Sequence, residues 1–526
     1  MSEFVERAQA WVGAWSERRA MLTPDSVGLV DATTGERFTY ADLDRRANRT
    51  ARLLSRHGVS DGGCVAVVSR NRPEVVDLFF ATGKTGGVLA PLSHRLAPPE
   101  LATLLERVDP DLLVVEAPFV ATVRRAVEDA ESVDSGLPTL CIATESTAEM
   151  TADGPADSDS ATYAEALPTV DGPPETPAVA PEDTHLFLHT GGSTGTPKET
   201  VLSHRAIVWN SLNTITSWGL RADDVTPLTF PTFHTGGWNV LTVPVWHMGG
   251  TVIIAREVDA KGLLTTIERE GATLLVAVPA VLRAMVETER WTETDLSTLR
   301  LVKSGGGPCR ESVMAAWWDR DIDLSQGYGL TECGPNNFAM PDGWPREKAE
   351  SVGKPAMHVD ARIVDSGTPV QRGSVGELEL RSPHAASGYL DEPTETETTF
   401  GSGWVSTGDL ARVDAEGYYH IVGRKKELFV SGGENVYPSE VEAAITAHPA
   451  VAEAVVVPVP DEQWGQVGKA VVELDGDSVT LDGLRAFLDG RLARFKHPHH
   501  LAVVDELPTS GPEKIDREAV TAQFGE

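Results

Sequence analysis

Between residues 39 and 92 the chain switches repeatedly between helical periodicity and unbroken apolar runs, and this alternation restricts the fold more than any other feature. "TYADLDRRANRTARLLSRHG" (39–58) sets Leu43, Ala47, Ala51 and Leu54 on one helical face and stops at Gly58. "CVAVVS" (64–69) is apolar throughout, as a strand covered on both faces is. "PEVVDLFFATGKTGGVLAPL" then reads as helix, glycine break and strand. Helix and strand in strict alternation predict a parallel α/β sheet. At 526 residues the chain exceeds one core, and a second, smaller pattern restarts near residue 424. There "PSEVEAAITAH" (438–448) is a helix opened by proline, followed by the strands "AEAVVVPV" and "KAVVEL", the helix "LDGLRAFLDGRL" and the strand "HLAVVDEL". The expected organisation is α/β: a large N-terminal domain, 1–423, of parallel and mixed sheets with packed helices, and a small α+β domain, 424–526.

Residues 145–183 are rich in acids, Pro, Ala and Thr and are expected to form a solvated connection. The first twenty residues carry scattered charges and read as an amphipathic surface helix, not a signal peptide. No apolar run approaches the roughly 18 residues of a membrane span. The net charge of −33, from 78 acids against 45 bases, disfavours nucleic acid and anionic membrane as partners. With 11 Lys against 34 Arg, the acidic excess also resembles that of proteins working in high salt, so a halophilic source is an expectation, beside an ordinary acidic protein. Cys64, Cys141, Cys309 and Cys333 are far apart with no C-x-x-C pair, which fits small buried residues in a reducing cytoplasm better than disulfides or zinc.

The strand "HLFLH" delivers the chain into "TGGSTGTPKE" (190–199). Three readings compete here. "GGSTG" satisfies the G-x-S-x-G elbow of serine hydrolases, but an elbow needs a helix at once, and Thr194, Gly195, Thr196 and Pro197 are poor helix formers. The G-x-x-x-x-G-K-[ST] phosphate loop fails, because Thr196 and Pro197 separate glycine from lysine. A solvated turn is the bland alternative. The chemistry of a phosphate cradle survives all the same: glycine-turn N–H groups, the hydroxyls of Thr190, Ser193 and Thr194, and Lys198 suit a polyphosphate.

The rest of the chain decides. "THLFLHTGGSTGTPKETVLSHRA" resembles the T-S-G-T-T-G-x-P-K signature of the adenylate-forming superfamily of acyl-CoA synthetases, adenylation domains and luciferases. Further matches follow in that superfamily's order: "TFPTFHTGG" (229–237), "SGGGP" (304–308), "QGYGLTE" (326–332), "GEL" (376–378), "WVSTGD" (404–409), "GRKKELFVSGGENVYPSEVE" (423–442) and "LPTSGPEKIDR" (507–517). They span roughly residues 40 to 520.

The resemblance implies an enzyme that activates a carboxylic acid with ATP to an acyl-adenylate and passes the acyl group to a thiol. It implies that Thr190, Ser193, Thr194, Gly195 and Lys198 hold the β,γ-phosphates, and that Glu332, beside Thr331, holds Mg²⁺. Tyr328 would stack on adenine with the Gly305, Gly306 and Gly307 backbone at the base edge. Asp409 would accept from both ribose hydroxyls, Arg424 would assist at the ribose or phosphate, and His234 would close the carboxylate site. Lys514 would bridge acid and ATP, and a small domain mobile about Lys426 would then bring Gly433 to the thiol. Three departures stand out: Gly191 for serine, Glu199 for the glycine after the lysine, and Glu513 for the glycine before Lys514. The two acids are expected to moderate a neighbouring lysine or to face solvent.

Coenzyme A is the expected acceptor, since "ELFVSGGENVYPSEVE" is closest to the CoA-ligase form and Gly432 and Gly433 leave room for a pantetheine chain. A carrier-protein thiol is the alternative, and a degenerate nucleotide-binding scaffold is the non-enzymatic one. Trp238, Cys333 and the glycine triplet are expected to line an apolar pocket. Phe233 stands where the family's amino-acid-activating members place an Asp, so a fatty or aryl acid is favoured. The expected enzyme is cytoplasmic, takes ATP, CoA and a small acid, and allows a homodimer.

Overall fold

The computed structural model describes residues 11–134, 136–144, 161–172, 179–190, 198–432, 434–476, 478–509 and 515–525. By packing, the chain divides into two compact units. The first comprises residues 1–342, 355–360 and 380–405, and the second 343–354, 361–379 and 406–526. The second unit thus takes in sheet segments upstream of residue 424. The architecture is mixed α/β, as the alternation of patterns predicts.

The first unit centres on a seven-stranded sheet. Its order is Gly388–Tyr389, Lys198–Ser203, Thr184–Thr190, Val88–Leu92, Cys64–Val68, Leu112–Glu116 and Thr139–Ile142. The five strands from Thr184–Thr190 onward are parallel, and the two at the other edge are antiparallel. Side chains alternate between faces. Val65 and Val67 enter one apolar cluster, while Cys64, Ala66 and Val68 enter another on the opposite side. Both faces are therefore dry, which is why these strands read as continuous apolar runs.

The helix Tyr40–Arg56 forms where its periodicity places it. Thr39 caps it reciprocally: the Asp42 N–H donates to Thr39 Oγ1 at 3.1 Å and the Thr39 N–H to Asp42 Oδ2 at 3.0 Å. Leu43, Ala47, Ala51 and Leu54 are all buried. Two expectations about the surface need correction. The N-terminal segment docks: Val12 is fully buried and the Trp11 indole N–H donates to Gly83 O at 2.8 Å. The acidic connection is pinned as well, because Tyr163 is 2% exposed with its hydroxyl 2.7 Å from Thr50 Oγ1. Asn48 Nδ2 also donates to Asp171 O at 3.1 Å and Arg52 Nη2 to Gly172 O at 3.2 Å, so the same helix holds the segment at two places. Residues 145–160 and 173–178 of that connection lie outside the described residues.

Two smaller sheets also belong to the first unit. One runs Arg37–Thr39, Val27–Asp31, Thr251–Ile254, Val225–Pro227, and the other is a parallel trio, Leu274–Ala277, Leu301–Ser304, Leu324–Gln326.

In the second unit, Gly376–Arg381, Val405–Val413 and Tyr419–Arg424 lie side by side in a five-stranded sheet. A second sheet pairs Val451–Asp461 with Gly465–Leu474 antiparallel, and His500–Val504 joins the latter in parallel. The helix Pro438–Thr446 covers one face through Val441 and Ile445. The helix Arg517–Phe524 covers the other through Val520. Glu442, 8% exposed, ties the layers: its Oε1 accepts from the Val456 N–H at 2.8 Å and from Arg517 Nη1 at 2.8 Å. Burial raises its carboxyl above the ordinary value against the opposing pull of Arg517. A buried pair of this kind fixes geometry more than it adds stability. It seats the helix that begins three residues after Lys514.

Candidate active site

Strand ends in an open α/β sheet are where ligands bind, and the candidate residues of the first unit collect there. The hairpin Thr184–Thr190/Lys198–Ser203 pairs Thr184 with Ser203 and, after a register shift between Thr184 and Leu186, runs regularly from Leu186 opposite Leu202 to Thr190 opposite Lys198. It therefore closes at the candidate phosphate loop. Ser193, Thr194 and Gly195 lie outside the described residues, as does Gly191. The two flanking residues are fixed: the Thr190 hydroxyl donates to Lys198 O at 3.4 Å. The Lys198 ammonium lies 5.5 Å from the Tyr389 ring centroid and 3.6 Å from Glu395 Oε1.

Tyr389 links this lysine to the candidate metal ligand. Its hydroxyl donates to Glu332 Oε1 at 2.8 Å, and burial, reinforced by the Glu332 charge, raises its pKa well above the ordinary value. Glu332 sits on the single turn Thr331–Cys333, and its carbonyl accepts from the Ala386 N–H at 2.9 Å. Lys198, Glu332 and Thr331 are thus brought together, with Tyr389 and Glu395 as partners that the sequence reading missed. The available signal was weak: a Gly-Tyr dipeptide and an acid on a short polar helix.

Glu199 fits neither expectation. Strand alternation turns it away from Lys198, and it is 1% exposed, so it does not face solvent. Among the described residues neither carboxylate oxygen has a hydrogen-bond partner. Burial pushes its carboxyl up to about 8, against a smaller opposing pull from Arg107. At neutral pH it is mainly protonated and does little to offset the lysine charge; Glu395 takes that role. A test follows from linkage. The folded protein keeps a proton that the unfolded chain releases above about 4.5, so this group lowers stability progressively from there up to about pH 8. Glu199→Gln is expected to unfold like the parent near pH 4.5 and to be more stable by of order 3 kcal/mol at pH 7. Urea midpoints at several pH values check this, and a gain that does not grow with pH removes the assignment. Glu513 lies outside the described residues.

The parallel trio of strands presents the candidate adenine site at its carboxyl ends. Gly305, Gly306 and Gly307 follow Leu301–Ser304, and Tyr328 follows Leu324–Gln326. Gly306 has φ +86°, which a side chain rarely adopts, whereas a Cβ on Gly305 or Gly307 would meet nothing nearer than 3.8 Å. Bare backbone there faces open space. The half-buried Tyr328 ring stands edge-on to Phe338 at 5.8 Å.

His234 is exposed at the start of the next segment, its ring 4.8 Å from that of Phe233. Phe233 is buried among His94, His189 and Arg95. Trp238 and Cys333 do not line an open pocket. Trp238 is fully buried, stacked on Phe79 at 4.5 Å, with its indole N–H donating to Thr232 O at 2.6 Å. Cys333 is also fully buried, and burial pushes its thiol up to about 12. A partly open recess of about 10 Å³ is lined by Thr229, Phe230, Gly236, Val240, Leu241 and Val276 among others. It holds no more than a water.

In the second unit the candidate ribose pair is assembled. Asp409 and Arg424 are opposite each other in an antiparallel register, with Arg424 Nε 2.7 Å from Asp409 Oδ1. Lys426 lies on the turn Lys425–Glu427, its Nζ 3.8 Å from Glu518 Oε1. Gly432 does not leave space for a ligand: with φ +59°, a Cβ there would lie 2.5 Å from the Trp464 ring. Gly433 and Lys514 lie outside the described residues. Also among the described residues, no three His, Cys, Asp or Glu side chains gather into a metal cage, no helix is long and apolar enough to cross a membrane, and all four cysteines are buried and free.

Residues 16–390 match the family model of the AMP-binding enzymes, and residues 440–514 match that of the AMP-binding enzyme C-terminal domain. The chain is 35% identical over 516 residues to a feruloyl-CoA synthase of an Amycolatopsis species, covering 98% of this chain and 99% of that protein. It is 36% identical over 513 residues to an indoleacetate–CoA ligase of Aromatoleum aromaticum, covering 96% of each. Among solved structures, ATP-bound MatB from Rhodopseudomonas palustris superposes with a TM-score of 0.85 at 28% identity, over 98% of this chain and 99% of that one. The anthranilate CoA ligase AuaEII in complex with anthranoyl-AMP gives 0.87 at 25% identity, over 99% of each.

Proposed function

The chain belongs to the AMP-binding enzyme family and is an AMP-forming acid–CoA ligase, and we propose that the acid it activates is an aryl carboxylate. The similarity to two aryl-acid ligases at 35% and 36% identity carries this reading, against 30% for a long-chain-fatty-acid–CoA ligase of Mycobacterium tuberculosis. The buried, apolar Phe233 disfavours an amino acid, since that position offers no carboxylate for an amine, and the choice of aryl over fatty acid rests on the relatives. Buried free cysteines are consistent with a cytoplasmic enzyme.

The acid's carboxylate oxygen attacks the α-phosphorus of ATP, pyrophosphate leaves, and the CoA sulfur then displaces AMP from the acyl carbon. Two anions must meet in the first step, so catalysis consists of positioning and charge compensation. In this reading Lys198, with Thr190, Ser193, Thr194 and Gly195, holds the outer phosphates. The Lys198–Glu395 contact keeps the ammonium in place until the phosphates replace the carboxylate. Tyr328 and the Gly305–Gly307 backbone take the base, and Arg424 orients the Asp409 carboxylate toward the ribose. His234 closes the acid's carboxylate site, and Thr331 acts next to Glu332 in the chain.

Mg²⁺ suits the donor set. One carboxylate, Glu332, oriented by Tyr389, is what this cation takes when phosphate and water complete its shell. When bound, it would supply charge neutralisation on the phosphates.

Pyrophosphate release with ATP, Mg²⁺ and CoA tests the reading across a panel of hydroxycinnamates, indole-3-acetate, benzoates and C8–C16 fatty acids. We expect kcat/KM for the best aryl acid to exceed that for any fatty acid at least tenfold. A fatty acid as the best substrate overturns the aryl assignment and leaves the ligase reaction standing.

A further inference from the structure

In the segment "HTGGWNVLTVPVWHM" (234–248) Pro244 stands four residues after Val240. In an α-helix the Val240 carbonyl would accept from the N–H of residue 244, and proline has none. The structure meets this with a π-helical turn over Gly236–Val240, a break at Leu241 with φ −129°, and an α-helix from Thr242 to Met248. The Val245 N–H serves Leu241 O at 2.8 Å. Val240 is 7% exposed, so its carbonyl needs a donor other than water.

A side chain provides it. Asn336 Nδ2 donates to Val240 O at 2.9 Å, with Thr214 Oγ1 at 2.8 Å and Asn239 O at 3.2 Å sharing its two hydrogens. Asn336 is 2% exposed, and its own carbonyl accepts from Asn213 Nδ2 at 2.8 Å. Asn210 Nδ2 donates to Asn239 O at 2.6 Å. The approach is close: a Cβ on Gly334 would lie 2.8 Å from Asn210 Oδ1.

The two ends of this network matter. Asn336 comes four residues after Glu332. The π-turn begins two residues after His234, and its Gly236 and Val240 line a small, partly open recess. We propose that Asn336 is a positioning residue that holds the segment following His234 in register with the Glu332 segment, so that the acid's carboxylate and the nucleotide are presented to each other correctly. This rests on the reading of both segments as parts of the ligase site. π-turns recur at functional sites because they displace side chains from the helical path, and this one depends on a donor from another element.

Asn336→Val removes the donor at similar volume. We expect the acid KM to rise about tenfold or more while the ATP KM stays within about twofold. Adding Pro244→Ala returns a backbone N–H to Val240 O, so the double variant should recover most of the acid KM. Hydrogen exchange over residues 238–245 of the ligand-free protein supplies a readout independent of turnover: faster in Asn336→Val, restored in the double variant. Equal rises in the acid and ATP KM overturn the proposal. So does an unchanged exchange rate, or a double variant no better than the single one. If the parent releases no pyrophosphate with any acid, the ligase reading itself fails, and the exchange data still decide whether Asn336 secures this turn.

Discussion

Glu332→Gln is expected to slow acyl-adenylate formation by about 10²–10³-fold, which corresponds to roughly 3–4 kcal/mol of transition-state stabilisation. The substitution keeps the shape and leaves an amide oxygen that can still accept from the Tyr389 hydroxyl, now 2.8 Å from Oε1. The turn Thr331–Cys333 and its Ala386 contact do not depend on the charge. What is lost is the negative charge that attracts a divalent cation to the phosphates. Excess Mg²⁺ should therefore restore part of the rate, by mass action on a weakened site. Pyrophosphate exchange at several Mg²⁺ concentrations measures this, with a melting curve as control. A rate within about twofold of the parent, ~0.4 kcal/mol, means Glu332 does not hold the metal. Tyr389→Phe should give a smaller loss of the same kind, since it frees the carboxylate without discharging it.

The sequence showed the ingredients of this site better than their pairing. Period and apolar runs located the helix Tyr40–Arg56 and the strand Cys64–Val68, because one face or both had to be dry. The motifs singled out Lys198 and Glu332 in the first unit and Asp409 and Arg424 in the second as the residues proposed to act on ATP. The Asp409–Arg424 contact was not legible, because it depends on an antiparallel register with a shift between Leu410 and Ala411. Tyr389 escaped notice for a similar reason: its partner Glu332 lies 57 residues away.

Glu199 and Trp238 show the opposite failure, where residue type misled. A glutamate reads as solvated and an aromatic near a motif reads as a pocket wall. In a strand covered on both faces, alternation offers no polar side for Glu199, so its carboxyl is buried without a partner among the described residues. Trp238 was claimed by Phe79 from a distant helix. Asn336 carried no recognisable signal at all, because its purpose lies in a donor that Pro244 lacks.

The other large effect is expected at Lys514, through which the two half-reactions should separate. A carboxylate and a triphosphate repel as they approach, and a single ammonium placed between them offsets that repulsion only while they combine. Once the adenylate exists, the same side chain would occupy the space the CoA thiol needs. The small C-terminal domain, with Lys426 as the hinge, would therefore present Lys514 in one arrangement and Gly433 in another. A conformational exchange of this type gates turnover without altering the chemistry. Lys514→Ala should cut adenylate formation from acid and ATP by about 10²-fold or more, ~3 kcal/mol. It should largely spare thioester formation from a synthetic acyl-adenylate and CoA. Lys426→Pro restricts φ at the hinge and should do the reverse, with adenylation retained and CoA transfer slowed. Both half-reactions can be followed separately, by pyrophosphate exchange and by loss of free thiol. The Arg517–Glu442 pair anchors the helix just after Lys514 and includes neither substituted residue, but Lys426→Pro removes the Lys426–Glu518 contact to that helix, so a melting curve of each variant is the control. Equal losses in both half-reactions for both variants would rule out the two-arrangement mechanism. Normal adenylation by Lys514→Ala would instead point to a different lysine, and Lys198, the lysine proposed to hold the outer phosphates, is the one to replace next.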